Sequence, residues 1–295
     1  MYVKKVLFIL NPKAGTKKAN KALADILNIF NRAGYILQVY LTAGPKDAIF
    51  AAKAFGAGKD LIVCCGGDGT FNETVTGLME AGLDIPIGYI PAGSTNDFAA
   101  SVGLSSDLLT AAKQIVEGTP QALDLGAFGD RYFSYVASFG AFSRASYNTP
   151  QNIKNSLGHT AYLLEGIHEL SQIRKMPMRL ELDGETVEDD FLFGAVCNST
   201  SIGGILTIDP NQVDMGDGMF EVLLVRAPRD LTEIPECIMA VQKQQYNCRM
   251  MTFRSVKHVK VFTDKDLNWT LDGEKAVGSE EVSIVNLHHA IQLIK

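Results

Sequence analysis

The chain reads as an α/β protein of two domains, an N-terminal α/β domain on a parallel sheet and a C-terminal β-rich domain of the sandwich kind. Three observations carry that expectation. Up to about residue 129, apolar runs alternate with apolar residues at helical spacing, the pattern of strands and helices in turn. From Arg131 onward the runs become longer and strand-like. The length of 295 residues with 46% hydrophobic side chains suffices for two cores.

In order, residues 3–10 form an apolar run ending at Asn11-Pro12-Lys13-Ala14-Gly15, after which Leu23, Ile26, Leu27 and Phe30 recur at helical spacing until Gly34. That is strand, loop, helix. Residues 36–42 predict a second strand, 46–55 a helix, 61–65 a third strand and 85–90 a fourth. Strands alternating with helices give a parallel sheet covered on both faces, and such sheets bind ligands beyond the carboxyl ends of their strands. Three of those ends carry unusual loops: NPKAG, GGDGT at 66–70, and Pro91-Ala92-Gly93-Ser94-Thr95-Asn96-Asp97. They are expected to converge on one crevice. Taken singly, each is also an ordinary turn, since Asn, Pro, Gly, Ser and Asp are the usual turn formers.

The stretch from Cys64 to Glu73 organises this half. Gly66, Gly67 and Gly69 allow positive φ and close approach of a ligand, and Thr70 is the expected cap of a helix carrying Phe71, Val75, Leu78 and Met79. A helix start behind a glycine-rich turn favours phosphate. Asp68 would repel it unless a divalent cation lies between them, so the turn points to Mg²⁺–nucleotide chemistry. The familiar alternatives lack their marks: the sequence has no G-x-x-x-x-G-K-[ST], no G-x-G-x-x-G, and no H-R-D or D-F-G pair.

Composition narrows the partners. A net charge of -6 argues against non-specific nucleic-acid binding, which needs clustered Lys and Arg. No apolar run approaches the ~20 residues of a spanning helix, and no signal peptide precedes the first strand, so a cytoplasmic protein is expected. Five cysteines without metal spacing fit reduced, buried thiols, and the five histidines show no ligand pattern.

In their order and spacing, NPKAG, GGDGTFNE and PAGSTNDFA resemble the catalytic domain of the diacylglycerol kinase and sphingosine kinase superfamily, nearest to its soluble bacterial lipid kinases. GGDGT alone is shared with NAD kinases and nearly with phosphofructokinases. The resemblance implies an N-terminal nucleotide-binding domain over 1–129 with that kind of sheet, and a lipid-binding domain over 130–295 whose last strand returns to the first. Ala14 stands where the family often has Ser, and Ser94 where it usually has Thr.

The second half is read as strands over 132–139, 178–182, 191–197, 219–225, 256–262, 268–271 and 282–294. Between the first two, residues 142–175 resemble the family's helical insertion, with Ala161, Leu164 and Ile167 on an apolar side and Lys154, Arg174 and Lys175 flanking it. The flanking charges leave contact with anionic headgroups as a second reading. Asp124-Leu125-Gly126 matches an acidic motif at the family's domain junction, so Asp124 is either a cleft residue or a buried capping aspartate. Asp214-Met215-Gly216-Asp217-Gly218-Met219 is by itself a turn. The resemblance makes it a structural magnesium site, with the Asp217 carboxylate and Asp214 and Met219 near the ion. Leu271-Asp272-Gly273-Glu274 is a hairpin signal, and the resemblance makes Glu274 the catalytic base.

The implied activity is ATP- and Mg²⁺-dependent phosphorylation of a lipid alcohol such as diacylglycerol. Asp68 and Glu274 carry the chemistry. Asn11, Pro12, Lys13, Ala14, Gly15, Thr42, Gly66, Gly67, Asp68, Gly69, Thr70, Asn72, Glu73, Ser94, Asn96 and Asp97 surround ATP, and Asp97 and Asp124 form a cleft network. Glu73 is read as a nucleotide contact or as a charge at the helix start. Peripheral membrane contact is expected during turnover, a homodimer is left open, and no nucleic acid is involved. The alternatives are an NAD kinase, or a catalytically weak lipid- or nucleotide-binding regulator of the same fold.

Overall fold

The computed structural model describes residues 4–140, 175–202, 206–263 and 267–295. The helical insertion expected over 142–175 lies outside these residues, apart from Lys175. The chain divides into two compact units, Met1–Leu125 with His288–Lys295, and Gly126–Leu287.

The first unit is an α/β sheet. Strand β1 (Lys4–Leu10) pairs in parallel with β2 (Tyr35–Leu41) on one side and β3 (Leu61–Gly66) on the other, and β3 pairs in parallel with β4 (Ile87–Pro91). The last strand of the chain, β17 (Glu281–Ile294), brings Leu293 beside Ile87 of β4, again in parallel. Thr119, just before β5 (Pro120–Phe128), exchanges both main-chain hydrogen bonds with Lys295.

Alternation decides which face each side chain serves. Val6, Phe8 and Leu10 of β1 join Ile26 and Phe30 of α1 (Lys18–Arg32) and Ala111 and Ile115 of α5 (Leu108–Glu117) in one core. Helix α1 forms because Ala19, Leu23, Ile26 and Phe30 fall on one stripe. It is closed by Arg32, favourable at a helix carboxyl end, and by Gly34 at φ 84°. On the other face α2 (Asp47–Phe55) packs on α3 (Asp68–Glu80), which a methyl group at Gly77 would prevent: it would lie 2.7 Å from Ala52 Cβ.

The second unit is almost entirely antiparallel. Its spine is β9 (Glu185–Cys197): the first half forms a hairpin with β8 (Met176–Leu182), and the second half runs between β7 (Val136–Gly140) and β12 (Phe220–Arg226). Strands β13 (Met251–Val256), β14 (His258–Thr263), β15 (Asn268–Leu271) and β16 (Glu274–Val277) pair with β12, β8, β7 and β15 respectively. Short strands β6 (Arg131–Phe133), β10 (Ser201–Ile202) and β11 (Leu206–Thr207) and helix α6 (Glu233–Gln242) complete it. Trp269 is the centre of its core, edge-on to Phe139 at 4.8 Å and to Phe128 at 5.0 Å.

The α/β and β-rich halves agree with the sequence reading. Several local expectations do not. The strand expected over 256–262 starts at His258, as β14, and Val256 ends β13, because the chain turns at Lys257, whose N–H and that of His258 donate to the Asp183 carboxylate. Helices α4 (Asp97–Ser101), α5 and α6 carried no expectation.

Candidate active site

Because β1, β3 and β4 are parallel neighbours, their carboxyl ends lie on one edge, and the loops that follow them meet there. The glycines record how closely. A methyl group at Gly93 would lie 2.6 Å from Gly67 Cα, and one at Gly15 would lie 2.4 Å from the Ala92 carbonyl oxygen. Backbone therefore touches backbone at both junctions, and main-chain bonds fix them: Asn11 N–H donates to Cys65 O at 2.9 Å and Ala92 N–H to Gly66 O at 2.7 Å. Of these glycines only Gly15 needs a left-handed conformation, at φ 48°. Gly66, Gly67 and Gly69 do not adopt positive φ, contrary to expectation. Gly66 is small because a methyl group there would meet Thr70 Cβ at 2.6 Å.

Helix α3 starts at Asp68 with Gly67 as its N-cap, so Thr70 does not cap it. Thr70 is buried in the first turn, and its hydroxyl accepts from Asn11 Nδ2 at 3.0 Å, joining two loops. Asn11 Oδ1 in turn accepts from Lys13 N–H at 3.0 Å, which folds the NPKAG turn on itself around Pro12 and Ala14. Asn96 sits at φ 56°, and its side chain clamps Gly93 from both sides, accepting from Gly93 N–H at 2.9 Å and donating to Gly93 O at 3.1 Å.

Asp68 stands where the loops meet. Its carboxylate accepts from Asp97 N–H at 3.0 Å and from Tyr89 OH at 3.3 Å, and it carries negative charge at the amino end of α3, where the helix favours it. Behind it, Phe71 stacks on Phe98 at 4.4 Å and on Tyr89 at 4.7 Å, a buried aromatic floor that fixes where both aspartates emerge. Gly69 and Asn72 lie on the same first turns, partly buried, Ser94 is exposed at the loop tip, and Thr42 is buried just beyond β2 with its N–H on Leu10 O. Glu73 serves a different helix from the one expected. Its carboxylate accepts from Lys46 N–H at 2.7 Å and Ala48 N–H at 3.2 Å and so caps α2. Burial pushes the Cys65 thiol up to about 12 and Cys64 higher still, so these two are packing residues.

Asp124 lies on strand β5, with its side chain fully buried. Its Oδ1 accepts from His289 N–H at 2.7 Å and lies 3.0 Å from His288 Nδ1.

In the second unit, Asp217 Oδ1 accepts from Met219 N–H at 2.9 Å and Asp214 Oδ1 from Gly216 N–H at 3.0 Å. Met219 O accepts from Asn286 Nδ2 at 2.9 Å. Glu221 was not expected here. It is 2% exposed, its Oε2 and the nearby Asn286 Oδ1 are buried with no hydrogen-bond partner, and burial, then Asp217 and Asp214, push its carboxyl up to about 8. Oxygen donors only, excess negative charge and orphaned buried oxygens fit a hard divalent cation such as Mg²⁺. The 271–274 turn is a tight hairpin with Asp272 at φ 48° and Gly273 at φ 85°. Asp272 is not merely a turn residue: its buried carboxylate collects the N–H groups of Ser134, Tyr135 and Val136. Glu274 is exposed at the start of β16, 3.7 Å from Arg131 Nη2.

Tyr89, Glu221 and Asn286 carried no expectation, and the two histidines were read as lacking a ligand pattern. Only Glu221 left a trace in sequence, as an acidic residue at an otherwise apolar strand start.

Residues 5–128 match the family model described as the diacylglycerol kinase catalytic domain, and residues 136–294 match the YegS C-terminal NAD kinase beta sandwich-like domain. The diacylglycerol kinase of Bacillus subtilis (strain 168) is 31% identical over 294 residues, covering 99% of this chain and 96% of that protein. A diacylglycerol kinase of Staphylococcus epidermidis (strain RP62A) is 28% identical over 292 residues, covering 98% and 92%. A crystal structure of a diacylglycerol kinase from Bacillus anthracis str. Sterne superposes with a TM-score of 0.81 at 25% identity, covering 100% of this chain and 98% of that one.

Proposed function

The chain belongs to the diacylglycerol kinase family of soluble bacterial lipid kinases, and from that premise we propose that it transfers the γ-phosphoryl group of ATP, with Mg²⁺, to a lipid hydroxyl such as that of diacylglycerol. The observation that supports this reading best is the convergence of the NPKAG, GGDGT and PAGSTND loops on Asp68, with glycine backbones in contact at Gly15, Gly67 and Gly93. Phosphoryl transfer asks for positioning and charge neutralisation more than for covalent chemistry. Residues 1–129 supply the first. The Asn11 side chain, the amides of the NPKAG and GGDGT turns, and the loop held by Asn96 form a cradle for the phosphates, with Thr42 at its border.

Mg²⁺ bound with the nucleotide would neutralise phosphate charge, and Asp68 is the carboxylate that would hold it. Asp97 and Asp124 are assigned to a carboxylate network in the same unit. Residues 130–295 are assigned to the lipid. There Asp214, Asp217 and the Met219 carbonyl, joined by Glu221, would hold a second, structural Mg²⁺. Glu274 is assigned the general base that takes the proton of the attacking lipid hydroxyl. Among the described residues no helix is long and apolar enough to cross a membrane. The lipid substrate itself is what supports peripheral contact at a membrane surface during turnover.

The test is radiolabelled ATP supplied with diacylglycerol, monoacylglycerol, phosphatidylglycerol and a sphingoid alcohol in mixed micelles, and with NAD in parallel. A lipid should be labelled fastest. Labelling of NAD above every lipid would make the chain an NAD kinase, and ATP binding without transfer to any acceptor would make it a regulator of the same fold.

A further inference from the structure

Adjacent residues of a β-strand point to opposite faces of the sheet, so His288 and His289 in the middle of β17 should be on different sides. They are not. His289 adopts φ 53°, a left-handed conformation that a non-glycine residue takes only at a cost, and the two imidazoles stack with their centroids 3.6 Å apart. The turn of the backbone brings both rings to the fully buried carboxylate of Asp124, all three residues lying in the first unit. One ligand atom from each of Asp124, His288 and His289 lies within 4.8 Å of the other two. Among the described residues this is the one group of three or more His, Cys, Asp or Glu side chains that converges so closely.

We propose that Asp124, His288 and His289 form a binding site for a divalent transition-metal ion, Zn²⁺ being the best fit, that fastens the middle of β17 to β5. The donor set decides the metal. Two imidazole nitrogens and one carboxylate oxygen suit Zn²⁺, Co²⁺ or Ni²⁺, whereas Mg²⁺ takes oxygen ligands, such as those around Asp217 and Glu221. The spacing agrees. Two ligands on one ion, each at about 2.0–2.1 Å, lie roughly 2.8–3.0 Å apart in octahedral and roughly 3.3–3.4 Å apart in tetrahedral geometry, and His288 Nδ1, hydrogen-bonded to Asp124 Oδ1 at 3.0 Å, already stands at such a separation. His289 N–H also donates to Asp124 Oδ1, which orients the carboxylate from behind. Both histidines are exposed, so water can fill the remaining coordination positions.

This inference shares Asp124 with the carboxylate network of the proposed kinase site, so its test reads metal binding and stability rather than turnover and can fail independently of that reading. The full chain, stripped of metal by chelator and kept in excess Mg²⁺ to occupy oxygen-only sites, is titrated with ZnCl₂ by calorimetry and followed by thermal melting. Parallel samples carry His288→Gln, His289→Asn, which tolerates the left-handed conformation, or both. The described cysteines are all buried, which keeps thiol binding low. Wild type is expected to bind one Zn²⁺ per chain and to melt at higher temperature with it. Each single variant should lose about tenfold or more in affinity, and the double variant should lose the melting response. Co²⁺ should give a visible ligand-field band in wild type that the double variant lacks. Absence of Zn²⁺ binding in wild type, or Zn²⁺ and Co²⁺ responses that survive in the double variant, would overturn the site. Should one single variant fail to fold, the wild-type titration and the other single variant still decide it.

Discussion

The main-chain N–H of Asp97 donates to Asp68 Oδ2 at 3.0 Å, so the loop after β4 is tied to the carboxylate that begins α3. Asp68 thus has two duties, one toward the proposed metal and one toward the loop. Asp68→Asn keeps an oxygen able to accept from Asp97 N–H and removes the charge. Phosphoryl transfer is expected to be lost while melting stays near wild type. Asp68→Ala should lose transfer and also about 1–3 kcal/mol of stability, as Asp97 N–H and Tyr89 OH lose their acceptor. Transfer at near wild-type rate in Asp68→Asn would remove it from the chemistry.

Gly93→Ala tests the convergence of the loops. Its methyl group would meet Gly67 Cα at 2.6 Å, a contact with backbone that cannot rotate away. The expected cost is about 1–3 kcal/mol, together with weaker ATP binding by calorimetry. Gly82→Ala, at a glycine with open space around it and φ 61°, is the control for a purely conformational effect and should leave ATP affinity unchanged.

Glu73→Ala should act on α2 rather than on ATP. Removing the carboxylate leaves the amides of Lys46 and Ala48 uncapped, at a cost of about 1–2 kcal/mol, with faster amide exchange confined to the start of α2. A drop in ATP affinity with unaltered exchange in α2 would return Glu73 to the nucleotide site.

Glu221 predicts a pH dependence. Its carboxyl is held at about 8 in the folded chain against an ordinary 4.5, so between those values the native state keeps a proton that the unfolded state has released. Stability of the metal-free protein should therefore fall as pH rises from about 4.5 to about 8. Mg²⁺, which stabilises the ionised cluster, should flatten that fall, and Glu221→Gln should remove this contribution in chelator. Identical melting profiles for wild type and Glu221→Gln between pH 5 and 8 would contradict the assignment. Asp217→Ala should weaken the Mg²⁺ response, whereas Asp214→Ala should do so less if it serves through its main chain.

Glu274→Gln keeps the shape of the side chain and removes its basicity. ATP should bind as before while single-turnover transfer to lipid falls by roughly 10²- to 10⁴-fold. Turnover within a few-fold of wild type would reject Glu274 as the base and direct attention to Asp97 or Asp124.

The sequence by itself determined the alternating α/β half, the β-rich half and the three loops at strand ends. Those features are written in local periodicity and in turn residues, which act over a few positions. It also picked out Asp68, because an acid among phosphate-compatible glycines is anomalous within its own pentapeptide. What only the tertiary structure decided depends on partners far apart in the chain. Gly66 and Gly67 looked like conformational freedom and proved to be space for Thr70 and Gly93. Glu73 looked like part of its own helix and caps another, 25 residues and more away. Glu221 shows in sequence only as an acid at the start of an apolar strand, and burial, with Asp217 and Asp214 nearby, raises its carboxyl. His288 and His289 showed no ligand spacing because their third member, Asp124, lies 164 residues earlier, and a left-handed backbone was needed to bring both rings to it. Sequence reports what a residue prefers, and folding sets the desolvation and the distant neighbours that decide what its charge can do.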